Sequence, residues 1–146
     1  MIRLIDVHNG DPAVEIFLYD LLAERLTEPG TNISHHAMPT LAQHREFIGR
    51  RPYYAWYAIQ NEDNALVGAV HLTFANELGI VVAKAQRRKG YARAGLQEFM
   101  RRTPPLIGLP SQRPDHYVAN IRDGNQASIA LFESLGATIL QHTYKL

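Results

Sequence analysis

Residues 77–102 read ELGIVVAKAQRRKGYARAGLQEFMRR. Leu78, Ile80, Val81 and Val82 form a short run that is apolar on both faces, the pattern of a strand set centrally in a sheet. Arg87, Arg88 and Lys89 follow, then Gly90, after which Ala92, Leu96, Phe99 and Met100 recur at helical spacing. The predicted unit is therefore strand, basic loop, helix. A helix entered from such a loop leaves its first backbone N–H groups without partners inside the helix, and Gly90 lets a ligand approach them closely. Three readings of the cations are open at this point: a solvated basic face, a nucleic-acid contact, or a cradle for a small polyanion.

Outward from this unit, the rest of the chain supplies a sheet and its covering helices. On the N-terminal side, MIRLIDV reads as a short strand and NGDP as a turn. Asp11 caps a helix that Pro12 begins and that carries Val14, Phe17, Leu18, Leu21, Leu22 and Leu26 on one face. Thr40 and Gln43 make a capping box for a second, shorter helix. YYAWYAI and ALVGAVHLTF, joined by NEDN, predict an antiparallel hairpin. On the C-terminal side, TPPLIGLPSQRP holds four prolines and reads as a loop. HYVANI predicts a strand, Asn125 caps a last helix that stops at Gly136, and TILQHTYKL predicts a closing strand. The order β, α, α, β, β, β, α, β, α, β places helices on both faces of one sheet: a three-layer α/β (mixed α+β) domain spanning residues 1–146.

Bulk properties narrow the function. The 146 residues carry a formal charge of +1, so any basic site is local; seven of the fifteen Lys and Arg residues lie between Lys84 and Arg102. The chain has no cysteine, which excludes disulfides, thiolate zinc sites and a cysteine nucleophile. No apolar run reaches the roughly 20 residues of a membrane span, and MIRLIDVHNGD lacks a signal-peptide core, so a cytoplasmic protein without a membrane partner is expected. Neither G-x-x-x-x-G-K-[ST] nor G-x-G-x-x-G occurs, which argues against ATPase and dinucleotide-binding functions. G-x-S-x-G is also absent, which argues against a hydrolase.

A second stretch adds to the first. ANIRDGNQASIALFESLGA sets Asn120 at the end of a strand, Asn125 at a helix start, and Leu135-Gly136-Ala137 at its end. With the [QR]-x-x-G-x-[GA] pattern at Arg87 to Ala92, it resembles the GNAT superfamily of N-acetyltransferases over roughly residues 54 to 138. The resemblance implies a mostly antiparallel sheet that splays at the cofactor site, with acetyl-CoA as the acyl donor and no metal. Carried over by position, it implies that the backbone from Ile80 through Val81, Val82 and Ala83 pairs with the pantetheine arm. It implies further that the segment Arg87, Arg88, Lys89, Gly90, Tyr91 and Ala92 holds the pyrophosphate, and that Asn120 and Asn125 add cofactor contacts. The N–H near Val82 then polarises the thioester carbonyl.

The implied reaction is direct attack of a primary amine on the thioester. Glu77 is the expected base, with its reading as a solvated strand-end carboxylate standing beside that role, and His71 is a second candidate. Many family members have a tyrosine acid where this chain has Phe132; Tyr144 and Tyr117 are the candidates to replace it. His35 and His36, between the first two helices, are expected at the acceptor. The acceptor is a small-molecule amine, such as an amino sugar or its nucleotide, or a peptide terminus, and the protein is expected to be a monomer or a homodimer. Two rivals stand beside this reading. One is a nucleic-acid-binding module, or a modifier of a base amine, using Lys84 to Arg102 as its footprint; the other is an acyl-CoA sensor with weak catalysis, motivated by Phe132.

Overall fold

Local signals set most element boundaries. Asp11 accepts from the Ala13 N–H and Pro12 opens the first helix, while Thr40 and Gln43 complete a reciprocal capping box at the second. Between the hairpin strands, the Asn61 side chain accepts from the N–H groups of Asp63 and Ala65 and closes the turn. The computed structural model describes residues 1–28 and 37–146. Its elements are β1 (Arg3–Asp6), α1 (Pro12–Thr27), α2 (Leu41–Gly49), β2 (Ala55–Gln60), β3 (Leu66–Leu72), β4 (Leu78–Val82), α3 (Tyr91–Arg102) and α4 (Gln126–Ser134).

The four strands form one antiparallel sheet in the order β1-β2-β3-β4. On one face α1 and α2 bury Val14, Leu18, Leu21 and Ile48 against Trp56, Ala58 and Ala69. On the other, α3 and α4 bury Leu96, Phe99 and Phe132 against Ile59, Val70 and Leu72. A Cβ at Gly95 would meet the Ile59 side chain at 2.5 Å, so a glycine there is what lets α3 lie close to the sheet. The three-layer mixed α/β expectation is met.

Three expectations about strands are not. ELGIVVA carries the pattern of a central strand, yet among the described residues β4 pairs along its length only with β3. Its other side is held at a single parallel bridge, where the Leu78 N–H donates to the Val118 carbonyl at 2.7 Å and the Val118 N–H donates to the Asn76 carbonyl at 2.9 Å. The predicted strand HYVANI is thus reduced to its contact at Val118, because the chain beyond it enters the turn closed by the Asn125 N–H and the Arg122 carbonyl at 3.1 Å. TILQHTYKL forms no strand: Ile139, Leu140 and Tyr144 are 81%, 68% and 83% exposed. Alternation marks a β-prone segment, but a strand also needs an edge to pair with. The outcome is a sheet whose last strand has a free edge just where the basic loop begins.

Candidate active site

The loop from β4 to α3 is shaped by two left-handed residues, Arg88 at φ 64° and Gly90 at φ 84°. Conformations of this kind turn successive N–H groups toward one side and make an anion-binding concavity. Inside α3 the first backbone bond runs from the Ala94 N–H to the Gly90 carbonyl at 3.1 Å, and no side chain caps the helix. The N–H groups of Tyr91, Ala92 and Arg93 therefore lie ahead of the intrahelical ladder, at the positive end of the helix dipole. A Cβ at Gly90 would meet nothing within 4 Å. Glycine is required there for its backbone angle, and the space in front of it is open to a ligand.

The edge of β4 continues this surface. In an antiparallel ladder N–H groups alternate in direction. Ala83 donates to the Val67 carbonyl at 2.8 Å, toward β3, whereas Leu78 donates the other way, to Val118. The alternation therefore turns the N–H groups of Ile80 and Val82 into the gap beyond Val118. Ala83, expected to pair with the cofactor arm, gives its N–H to the sheet instead. The Val82 carbonyl accepts from Arg87 Nε at 3.3 Å.

Most of the cations that opened the problem are engaged within the protein. Arg87 forks onto Glu28 at 2.7 and 3.0 Å and so ties the end of α1 to the loop. Arg93 donates to Ser134 Oγ at 2.6 Å, joining α3 to α4. Arg101 and Arg102 both reach Glu98 at 2.7 Å, and their hydrogen bonds hold its carboxyl down to about 2. Lys89 donates to Gln86 Oε1 at 3.2 Å. Among the described residues, Arg88 alone of the loop's cations lines the cavity without a side-chain partner.

That cavity has a volume of about 810 Å³ and runs from the loop, between β4 and α4, to the space between α1, α2 and the sheet. Val81, Val82, Arg87, Arg88, Gly90, Tyr91, Ala92, Asn120 and Asn125 all line it, as does Glu77. Ala83, Lys89 and Tyr144 do not. Tyr91 contributes backbone rather than phenol, since its hydroxyl accepts from the Asn61 amide at 3.3 Å. Asn125 uses its side-chain oxygen to cap α4, accepting from the Ser128 N–H at 3.3 Å, which leaves its amide nitrogen to meet a ligand. Tyr117 donates to the Met100 and Thr103 carbonyls and stays with the end of α3; burial raises its phenol. Phe132 is buried, and its ring both packs in the core and borders the cavity. His35 and His36 lie outside the described residues.

At the far end the walls are side chains that the sequence did not single out together. The His71 ring stacks on Tyr53 with centroids 3.8 Å apart and planes at 11°. Its opposite residue in the ladder is Gly79, where a Cβ would strike the imidazole at 2.2 Å, so the glycine makes room for the ring. His71 keeps some accessible surface toward the cavity, but Tyr53 and the β4 backbone deprive it of water. Burial, and then the Arg25 charge, lower it from 6.5 to about 4, so it is neutral at physiological pH. Burial raises the Tyr53 phenol. A glycine inside an otherwise apolar strand was the legible hint of this close approach; Arg25, in the last turn of its helix, reads in sequence as no more than a complement to the helix dipole.

The family model for the acetyltransferase (GNAT) domain matches residues 9–138. The chain belongs to the GNAT acetyltransferase family. Solved structures agree in fold with this GNAT domain. The Vibrio cholerae spermidine N-acetyltransferase in complex with CoA and spermine superposes with a TM-score of 0.70 at 16% identity, covering 92% of this chain and 79% of that one. A Sinorhizobium meliloti phosphinothricin acetyltransferase in complex with AcCoA gives 0.68 at 21% identity, covering 92% and 74%. A Brucella melitensis ribosomal-protein-alanine N-acetyltransferase gives 0.67 at 21% identity, covering 93% and 83%. No curated protein matches the sequence significantly. The GNAT domain is accordingly that of an acyl-CoA-dependent N-acyltransferase. No helix among the described residues is long and apolar enough to cross a membrane, and no group of three or more His, Asp or Glu side chains among them is placed to hold a metal ion.

Proposed function

We propose that this chain transfers an acetyl group from acetyl-CoA to a primary amine by direct attack. The observation that carries the reading is the continuity of backbone donors that are unpaired among the described residues: Ile80 and Val82 on the free edge of β4, then Tyr91, Ala92 and Arg93 at the start of α3. An extended chain of amides ending in a pyrophosphate is the ligand such a series suits. The amide-bearing arm lies along β4, and the pyrophosphate meets the α3 N–H groups beside Arg88. Bound acetyl-CoA supplies the activated acyl group. Asn125 offers its amide nitrogen from the other wall of the gap.

The arm runs from the α3 end back along β4, so the outward N–H nearer Glu77, that of Ile80 rather than Val82, donates to the thioester carbonyl and stabilises the charge that develops there. Glu77 lies at the start of β4, faces the cavity, and has no side-chain hydrogen bond or ion pair among the described residues. It takes the proton from the amine, directly or through a water. The new C–N bond forms, the C–S bond breaks, and the departing sulfur takes up a proton from solvent, because Phe132 has none to give and Tyr117 and Tyr144 are placed elsewhere. The same Phe132 favours a second reading, an acyl-CoA sensor with weak turnover.

The experiment is acetyl-CoA consumption against a panel of primary amines, followed by release of free thiol. The cysteine-free chain adds no background. Amine-dependent thiol release, with the acetylated amine identified by mass, is the expected result. Binding of acetyl-CoA without release on any amine would leave the sensor reading; no binding at all would remove both.

A further inference from the structure

The far end of the cavity holds one guanidinium that no described side chain matches. Arg25 lies in the last turn of α1 and lines the cavity with Phe47, Tyr53, Trp56 and His71. Its neighbours on the helix are committed: Glu24 accepts from the Lys84 N–H at 2.8 Å, and Glu28 is bound by the Arg87 fork. Those two contacts clamp the last turn of α1 onto the loop and so fix where Arg25 stands. Among the described residues Arg25 has no side-chain hydrogen bond or ion pair. Burial lowers its pKa, with the nearby Tyr53 acting in the opposite sense, which shows a cation partly withdrawn from water. Such a charge is stabilised by an anion presenting two oxygens to its planar fork.

The surroundings set the rest of the ligand. Tyr53 is held in place by the stack on His71, which the absent side chain of Gly79 permits. Its hydroxyl is a neutral donor beside the guanidinium. Phe47, Tyr53 and Trp56 meet edge to face, with centroids 4.9 to 6.2 Å apart, and give the end an apolar aromatic wall. Glu77, at the β4 junction, supplies the carboxylate that a protonated amine approaches. A polyamine would instead bring its own positive charges against Arg25 in a part-buried space, where like charges repel strongly.

Resting on the acyltransferase reading above, we infer that the acceptor is a carboxylate-bearing primary amine with an apolar side group, an amino acid or its close analogue. Arg25 and Tyr53 bind its carboxylate, and the Phe47–Trp56 wall takes its side chain. The assay compares pairs that differ only in the carboxylate, phenylalanine with phenethylamine and leucine with isoamylamine, alongside spermidine, for wild type, Arg25→Gln and Arg25→Lys. Acetyl-CoA binding to each protein is measured in parallel by thermal shift. The expected result is kcat/KM about tenfold or more higher for the amino acid of each pair in wild type, the size of one charge-assisted contact. In Arg25→Gln the ratio collapses toward one, and in Arg25→Lys it is partly restored, while acetyl-CoA still raises the melting temperature of both variants. Equal or reversed ratios in wild type, or a ratio unchanged in Arg25→Gln, would overturn the inference. So would acetyl-CoA binding with no turnover of any carboxylate-bearing amine, a result that leaves the acyl-donor site standing. A protein that fails to bind acetyl-CoA removes the inference together with the acyltransferase reading on which it rests.

Discussion

At the donor end of the cavity the chain presents backbone, from β4 and the first turn of α3; at the acceptor end it presents side chains from α1, α2, β2 and β3. The donor end needs few particular side chains. Its geometry follows from a free strand edge, two left-handed residues and a helix start, and the ligand it suits is an extended diphosphate whatever the acceptor is. The acceptor end depends on which residues separate parts of the chain bring together: a guanidinium of α1 between two anchored carboxylates, a tyrosine just ahead of β2 stacked on a histidine of β3, and a glycine of β4 that leaves them room. One scaffold can therefore keep its donor while exchanging its acceptor by side-chain substitution alone.

The contrast is tested most strongly where the two ends meet. Glu77→Gln removes the proposed base without touching the donor backbone, and kcat is expected to fall about 100-fold with acetyl-CoA affinity unchanged. Steady-state rates beside a binding titration measure both. A normal rate and pH profile would return Glu77 to the role of a solvated strand-end carboxylate.

The next largest effect concerns the donor end alone. Gly90 and Gly10 share nearly the same left-handed backbone, φ 84° and 82°, and a Cβ at either would meet nothing within 4 Å among the described residues. Valine at either position is expected to lower stability by about 1–2 kcal/mol. Only Gly90→Val should also weaken acetyl-CoA binding, by about tenfold or more, because only there does the side chain enter the space in front of α3. Equal affinities in the two variants would show that the α3 N-terminus is not the phosphate site.

At the acceptor end the corresponding signature is in pH. His71 is lowered from 6.5 to about 4, so between these values the unfolded chain binds more protons than the folded one. Stability is then full above about 6.5 and declines as pH falls toward 4. The loss assigned to this residue between neutral pH and pH 5.5 is about 1 kcal/mol. It should vanish in His71→Gln when denaturant unfolding is compared at the two pH values; a slope that persists in the variant belongs to other groups. The smallest effect belongs to the outer part of the basic run. Arg101→Ala breaks an exposed pair with Glu98 and is expected to leave stability essentially unchanged, with no change in acetyl-CoA affinity.

The same division explains what could be read from the chain. Caps at Asp11, Thr40 and Asn125, the NEDN turn and the Gly90 loop are local signals, so the helices, the hairpin and the donor loop were legible. The free edge of β4 was implied by the family resemblance alone and not by the residue pattern, because ELGIVVA carries the pattern of a central strand and nothing in HYVANI says that pairing stops at Val118. TILQHTYKL has strand-like alternation and finds no edge. Arg87 looked like a phosphate ligand, and only the fold shows it forked onto Glu28, 59 residues away. Arg25 carried no signal beyond a complement to the helix dipole: its meaning depends on Tyr53, just ahead of β2, and His71 of β3 arriving beside it. His35 and His36 fall outside the described residues.

The central claim is that the β4 edge and the α3 start receive acetyl-CoA, and the most direct measurement is the melting temperature of the wild-type protein titrated with acetyl-CoA and, separately, with a short DNA duplex. A ligand at 100 times its Kd adds about 2.7 kcal/mol, which for a domain of this size is a rise of several degrees. The account predicts that rise with acetyl-CoA alone. No shift with acetyl-CoA and a salt-sensitive shift with DNA would contradict it and make RRKGYA a nucleic-acid contact.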